Sequence, residues 1–335
     1  MNYPVKATCL FAVGLFLTTV SYAANKLTVS NYGTDSLTCG SADSPCRSIS
    51  QAIQNAGSGD TIVVGPGRYG SLNNDGAFTG PGDEHPANGG MIDVSKAVTI
   101  VSRDGADVTL IDAGTNALNC VTIEASGAVL GAKAKGFTLI GGDVGVLVQL
   151  GASHVTLEGN RAVGNGSAGF ATENGTSSNQ FIGNVACACQ GSSGFVVRGF
   201  GGLLQGNVAV GNTGDGFIDI GVNILFVQNV ASGNHLEGLL GVNEVGGAPT
   251  SPIMGSSFIG NLADGVYMES AFTLTENNIY GNGVESGCSI FSPLSFKAPK
   301  NFFGLTTTPD VLTCATNVNF TPLATKEIKV KVIEP

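Results

Sequence analysis

Glu173 and Arg198 have the plainest chemical potential in this 335-residue chain. Each stands three residues after a phenylalanine, Phe170 and Phe195, in a phrase that recurs along the sequence, so the two become neighbours if the phrase is one unit of a stack. A carboxylate beside a guanidinium can grip a sugar, move a proton, or form a cross-strand ion pair whose only role is structural. Continuing the count gives Ile220, Val242 and Glu269, with Val196, Ile218, Leu240 and Tyr267 in the adjoining row. If that apolar row faces outward it needs a cover: a folded-back loop, a partner, or a sugar on Tyr267. Asp219 falls in the inward register between Ile218 and Ile220, so either the strand slips there or Asp219 is a buried carboxylate with a raised pKa. The slip is the expectation. Glu173, Arg198 and Asp219 are thus the catalytic candidates, and Glu173, Arg198 and Tyr267 the ligand-binding ones.

A second group is Asp75, Asp83 and Glu84, next to His85 in the Gly- and Pro-rich stretch 71–90. Carboxylates in a loop are the donors calcium takes, which makes calcium the candidate cofactor; a solvated acidic loop is the plainer reading. His154 and His235 have no partners for a catalytic triad. Asn165, Asn174 and Asn319 begin glycosylation-type triplets, which Asn-rich bends produce by chance.

Residues 1–23 read as a secretory signal: Lys6, an apolar run over 10–17, then small residues up to Ala23. The run is too short for a good membrane span, and no later segment is longer. The whole chain carries a net charge of −10; without Lys6, 25 acidic groups face 14 basic ones, a net of −11. Phosphate-backbone binding needs clustered Lys and Arg, so nucleic acid is not an expected partner. Seven cysteines follow the signal. In an oxidising compartment Cys39 pairs naturally with Cys46, and Cys288 with Cys314 can clamp the far end. Cys187 and Cys189 are too close in sequence to pair well with each other, which leaves one of them to reach Cys120 or to remain free.

These residues must be positioned by a repeating scaffold. Asn160, Asn184, Asn207 and Asn229 recur at intervals of 24, 23 and 22 residues, the length of one solenoid coil. Asn261 and Asn277 extend the series at intervals of 32 and 16, which predicts an excursion over 243–252 and then a shortened coil. Three residues before each lead Asn stand Leu157, Phe181, Leu204, Phe226, Phe258 and Leu274. Two residues after stand Ala162, Ala186, Ala209, Ala231, Ala263 and Ile279. Large and small inward stacks would fill the core, and the asparagines would form amide ladders at the bends. A second Asn follows in each coil, with Cys189 in its place once. Upstream, strands are predicted at 27–30, 60–64, 91–94, 98–101, 108–111, 121–123, 137–140 and 144–150, the last with Val144, Val146, Val148 and Leu150 on one face. Ile49, Ala52, Ile53 and Ala56 share one side of a short helix ended by Gly57, suited to covering the open end of a solenoid.

The run from Cys39-Gly40 through Pro45-Cys46-Arg47-Ser48-Ile49, Gly59-Asp60-Thr61-Ile62 and Pro66-Gly67 to Tyr69 resembles the amino-terminal cap of secreted right-handed parallel β-helix proteins of the pectate-lyase-like superfamily. Asn301-Phe302-Phe303-Gly304, with Pro309 and Cys314, is similar to their closing segment, with Phe303 where Trp is usual. The resemblance covers about residues 27–322. It implies an exposed β-face as the functional surface and action on polysaccharide. The strong catalytic motifs of that group are missing, among them Asp-Pro-His-Glu and Arg-x-Pro-x-x-Arg, and Asp215-Gly216-Phe217 is a faint echo of another.

The expected architecture is therefore all-β: a right-handed parallel β-helix with a short amino-terminal capping helix. Residues 24–70 form the cap and first coil, 71–322 the coils and closing segment, and 323–335 a tail that reads as an edge strand. The expected function is a secreted, non-catalytic protein that binds a glycan or surface or serves as a structural element. The alternative is a lyase, epimerase or hydrolase acting on an extracellular polysaccharide.

Overall fold

The computed structural model describes residues 24–71, 78–80, 82–114, 118–190, 193–242, 251–269, 272–283, 288–293, 296–304, 318–319, 321 and 323–330. The signal segment, Asp75 and Cys314 lie outside them. Short strands, rich in β-branched residues and broken by Gly and Asn, cannot bury a face alone, so successive coils stack. Three parallel sheets result. Sheet A has ten strands from Lys26–Val29 to Phe272–Thr275, sheet B nine from Gly67–Gly70 to Asn278–Tyr280, and sheet C nine from Gly90–Val94 to Ile290–Phe291. The chain visits A, B and C in turn, as in Thr156–Glu158, Arg161–Val163 and Ala168–Thr172. The architecture is a parallel β-solenoid of the right-handed β-helix type, the hand that parallel crossovers take.

The core consists of stacks, one residue per coil. Sheet A contributes Leu157, Phe181, Leu204, Phe226, Ile253 and Leu274 in register. Sheet C contributes Phe170, Phe195 and Phe217, whose rings stack at 5.0 and 4.8 Å. Beside them the alanines of sheet B leave room for glycine backbones: a Cβ on Gly194 would lie 2.8 Å from the Gly216 carbonyl oxygen and 2.9 Å from the Ala209 methyl. That close approach explains the Gly before each Phe.

Two amide ladders run along the bends. In the first, the Asn184 backbone N–H and Nδ2 donate to Asn207 Oδ1 at 2.9 and 3.1 Å, while Asn207 does the same to Asn229 at 3.0 Å. The ladder then passes through Ser256, not Asn261: the Asn229 N–H donates to Ser256 Oγ, and the Ser256 N–H to Asn277 Oδ1. Asn261 belongs to the second ladder, between Asn234 and Asn282. The predicted intervals of 32 and 16 residues are therefore corrected to 27 and 21. Phe258 accordingly pairs with Ala231 in the sheet B stack, and Ile253 takes the place assigned to Phe258. The source of the error is physical: both bends place a left-handed residue before the ladder residue, Gly255 before Ser256 and Gly260 before Asn261, so Gly-Asn marks two corners.

The helix α1 (Ile49–Asn55) covers the first coil with Ile49, Ala52 and Ile53 buried, and Ser48 caps it by accepting the Gln51 N–H at 3.1 Å. Other differences are local. Val144 faces outward and Leu150 is exposed, leaving only Val146 and Val148 of that run in the core. Gly67–Gly70, where no strand is predicted, begins sheet B. Ser251 and Pro252 belong to a strand (Ser251–Met254), and 243–250 lies outside the described residues. Residues 323–330 of the tail form no strand; the tail docks on the last coil, where Asn278 Nδ2 donates to the Ile328 carbonyl at 2.8 Å and the Ile328 N–H to Asn278 Oδ1 at 2.7 Å.

Candidate functional site: the outer face of sheet C

Alternation along each sheet C strand sends Phe170, Phe195 and Phe217 inward and the next residues outward. The resulting row is Leu147, Ala171, Val196, Ile218, Leu240, Tyr267 and Phe291, in unbroken register over seven coils. Leu147, Ala171, Val196 and Ile218 pack with Val144, Ala168 and Ile220 into a small apolar cluster outside the main core. They line an open cleft of about 330 Å³ that also takes in Glu173 and Arg198. An adjoining depression of about 380 Å³ is lined by Leu150, Glu173, Asn174 and Arg198. Glu173 and Arg198 thus share one cleft, as their spacing predicts.

They are not, however, an ion pair. The described ion pairs are Arg68 with Asp112, Arg103 with Asp104, Arg161 with Asp107 and Lys300 with Glu276. Glu173 Oε2 instead accepts the Leu150 backbone N–H at 2.8 Å. The Arg198 backbone N–H donates to Thr172 Oγ1 at 2.7 Å.

Asp219 keeps the strand register, paired with Val197 on one side and Gly241 on the other, so the expected slip does not occur. It points into the core with 2 % exposure. Its Oδ1 accepts the Gly221 N–H at 3.0 Å, and Oδ2 is buried without a hydrogen-bond partner. Burial pushes its pKa up to about 7, against the opposing pull of Ser251 and the Gly221 N–H.

Reasoning from the sequence missed a column of acids at the edge of this face. Asp215, Glu237 and Asp264 each precede the Gly that leads into a sheet C strand, and they stand at one position of three consecutive coils, Asp215 and Asp264 buried and Glu237 half-buried. The Glu237 backbone N–H donates to Asp215 Oδ1 at 3.0 Å, while Asp215 Oδ2 accepts from Ser193 Oγ at 3.3 Å. Burial, then hydrogen bonding and repulsion from Asp215, raises Glu237 to about 7. Asp264 is raised by burial and by Glu237, although its Oδ1 accepts the Cys288 N–H. The signal was present in the sequence as Asp215-Gly216-Phe217, Glu237-Gly238-Leu239 and Asp264-Gly265-Val266: an acid at one fixed place in the repeat. Phe291 was missed as well. Its ring stacks on Tyr267 at 4.9 Å, and the Tyr267 hydroxyl donates to Glu269 Oε1 at 3.2 Å. Burial, Glu269 and the two nearby acids raise the Tyr267 pKa.

The other candidates have structural partners. Glu84 accepts the Ile49 and Ser50 N–H groups at 2.9 and 2.8 Å and the Ser50 hydroxyl at 2.6 Å, capping α1. Asp83 Oδ2 accepts the Gly80 N–H at 2.6 Å. Asp35 lies with His85 and Arg47 beside a cap pocket of about 360 Å³. Among the described residues the one group of metal-capable side chains is Asp35, Cys39 and Cys46, and its two sulfurs are joined as the expected disulfide. Cys288 is also disulfide-bonded. Cys120, Cys187 and Cys189 are free thiols, so Cys120 does not take up either neighbour.

No protein-family model and no curated protein matches the sequence. Solved structures do match. The pectate lyase Pel9A superposes with a TM-score of 0.61 at 19 % identity, covering 91 % of this chain and 79 % of that one. A rhamnogalacturonan lyase superposes at 0.57 with 12 % identity, covering 91 % of this chain and 90 % of the other. At such identities the likeness is one of fold. With caps, ladders and three parallel sheets in place, the chain is a parallel β-helix of the pectate-lyase-like fold.

Proposed function

We propose that this protein binds an extracellular glycan in a non-catalytic role, the sugar chain lying on the outer face of sheet C. The observation that carries the reading is the continuity of that face: an apolar cleft runs in register into the Tyr267–Phe291 ring stack, with polar groups along both edges. Sugars present apolar ring faces edged by hydroxyls, so aromatic platforms beside hydrogen-bonding groups suit them. The names of the two structural neighbours, both polysaccharide lyases, support the same substrate class. The Cys39–Cys46 disulfide supports an oxidising compartment, in keeping with secretion. Among the described residues no helix is long and apolar enough to cross a membrane.

One observation favours a second reading, a glycan hydrolase. Glu237 keeps its proton near neutral pH beside Asp215, the condition a general acid needs. A panel of neutral, acidic and amino polysaccharides separates the two. Binding without new reducing ends supports the first reading; reducing ends that vanish in Glu237→Gln support the second.

A further inference from the structure

The pocket of about 360 Å³ in the amino-terminal cap shares no lining residue with the cleft on sheet C. It is lined by residues 33–35, by Arg47 and Gln51 at the start of α1, and by residues of the stretch 80–85. Arg47 is the one buried basic residue among those described, 9 % exposed, and its Cζ stands over the Tyr69 ring at 5.6 Å from the centroid. Yet its guanidinium has no hydrogen-bond acceptor and no carboxylate within ion-pair reach among the described residues. Asp35 shares the pocket, but its Oδ1 accepts the backbone N–H groups of Arg47 and Ser48 at 2.7 and 2.9 Å. Glu84 is engaged by the three donors of α1. The guanidinium nitrogens are not sealed in protein, so their N–H groups meet the pocket that Arg47 lines. A charged group with five donors and no acceptor is costly in so buried a place, and an anion in the pocket removes that cost.

The surroundings narrow the anion. The Tyr69 ring covers one face of the guanidinium, which leaves its edge, where the N–H groups lie in one plane, for a planar acceptor. A carboxylate matches that fork with two parallel hydrogen bonds. Asp35 brings a negative charge of its own, so a singly charged ligand is favoured over a doubly charged phosphate. The described lining residues are Gly, Thr, Asp, Arg, Gln and His, with no large apolar side chain among them. Such a wall pairs with hydroxyl groups and offers little to a fatty or aromatic acid. The volume is at the small end for a ligand pocket and suits one ring rather than a chain.

We propose that the cap pocket binds a single sugar acid, its carboxylate held by the Arg47 guanidinium and its hydroxyls by Thr34, Gln51 and His85. The site is separate from the glycan-binding face of sheet C, and neither reading rests on the other.

The test is calorimetric titration of the full chain with galacturonate and glucuronate, and in parallel with galactose, galactose 6-sulfate and glycerol phosphate. At least one of the two sugar acids is expected to bind, and galactose, which lacks the carboxylate, to bind at least about tenfold more weakly. Arg47→Gln should abolish binding of the sugar acid; Arg47→Lys, which keeps the charge without the fork, should weaken it about tenfold. Arg47 is buried and its variants can lose the fold, so Thr34→Val and His85→Ala, at exposed positions, form a second pair. Each should weaken binding with an unchanged melting temperature. Silence from both sugar acids at millimolar concentration, or equal affinity for galactose, overturns the proposal. So does an affinity that neither Thr34→Val nor His85→Ala changes, because the ligand then sits elsewhere. Tighter binding of the sulfate or phosphate ester overturns the carboxylate assignment. None of these results bears on sheet C, which the glycan panel tests.

Discussion

Glu237 stands one coil along from Asp215, its backbone N–H donating to Asp215 Oδ1 at 3.0 Å, and the two side-chain carboxyls repel each other. Burial raises Glu237 to about 7, and the neighbouring acid adds to the rise because two acids so placed cannot both ionise at little cost. An acid raised on folding contributes stability that is fully present below its unfolded pKa and is lost as pH rises through the folded value. The melting temperature should therefore fall between pH 5 and pH 8. Glu237→Gln, which keeps a donor for Asp215, should flatten part of that fall, as thermal melts across the range will show.

Asp219 contributes to the same trend from inside the core. Its neighbours in the stack are Val197 and Gly241, and one carboxyl oxygen has no partner. A rise from 3.8 to about 7 corresponds to at most about 4 kcal/mol of ionisation penalty at high pH. Asp219→Asn should thus raise stability at pH 8 relative to pH 5, measured by urea unfolding at both values. Equal effects at the two pH values would contradict the burial of the charge.

Glu84 ties the stretch after the first coil to the capping helix through three donors. Glu84→Ala leaves those donors unmatched in a buried site and should cost about 1–3 kcal/mol. Glu84→Gln keeps one acceptor and should lose less. Chemical denaturation gives both values, and hydrogen exchange at Ile49 and Ser50 should rise in step.

In the second ladder Cys189 stands where its neighbours have asparagine. Its N–H donates to Asn212 Oδ1 at 3.2 Å, but its thiol offers Asn165 no amide oxygen of the kind that Asn234 gives Asn212 at 2.8 Å. Cys189→Asn should restore that rung and raise stability by about 1 kcal/mol, seen as a higher denaturation midpoint at unchanged slope.

Much of the scaffold was legible in the sequence because solenoid packing repeats one residue type per position: Phe170, Phe195 and Phe217 announce their own stack. The same economy misled the reading where two corners use the same letters, so Asn261 took the place of Ser256. Asp219 was expected to slip because burying a carboxylate is costly, yet strand register, set by six coils of neighbours, outweighs one unfavourable side chain. The site itself was half legible. Glu173, Arg198 and Tyr267 follow from their spacing after the aromatic stack; Asp215, Glu237 and Asp264 do not stand out as a column because two residue types share the position and Asp215-Gly216-Phe217 reads as an isolated triplet.

The central claim is that the outer face of sheet C holds a glycan, and the most direct measurement is carbohydrate-array binding of the wild type against Ile218→Glu and Tyr267→Ala. Ile218 and Tyr267 belong to one outward row, two coils apart, and both lie outside the main core. The account predicts one set of glycans bound by the wild type and lost in both variants, with melting temperatures unchanged. Glycan binding that survives both substitutions would contradict it.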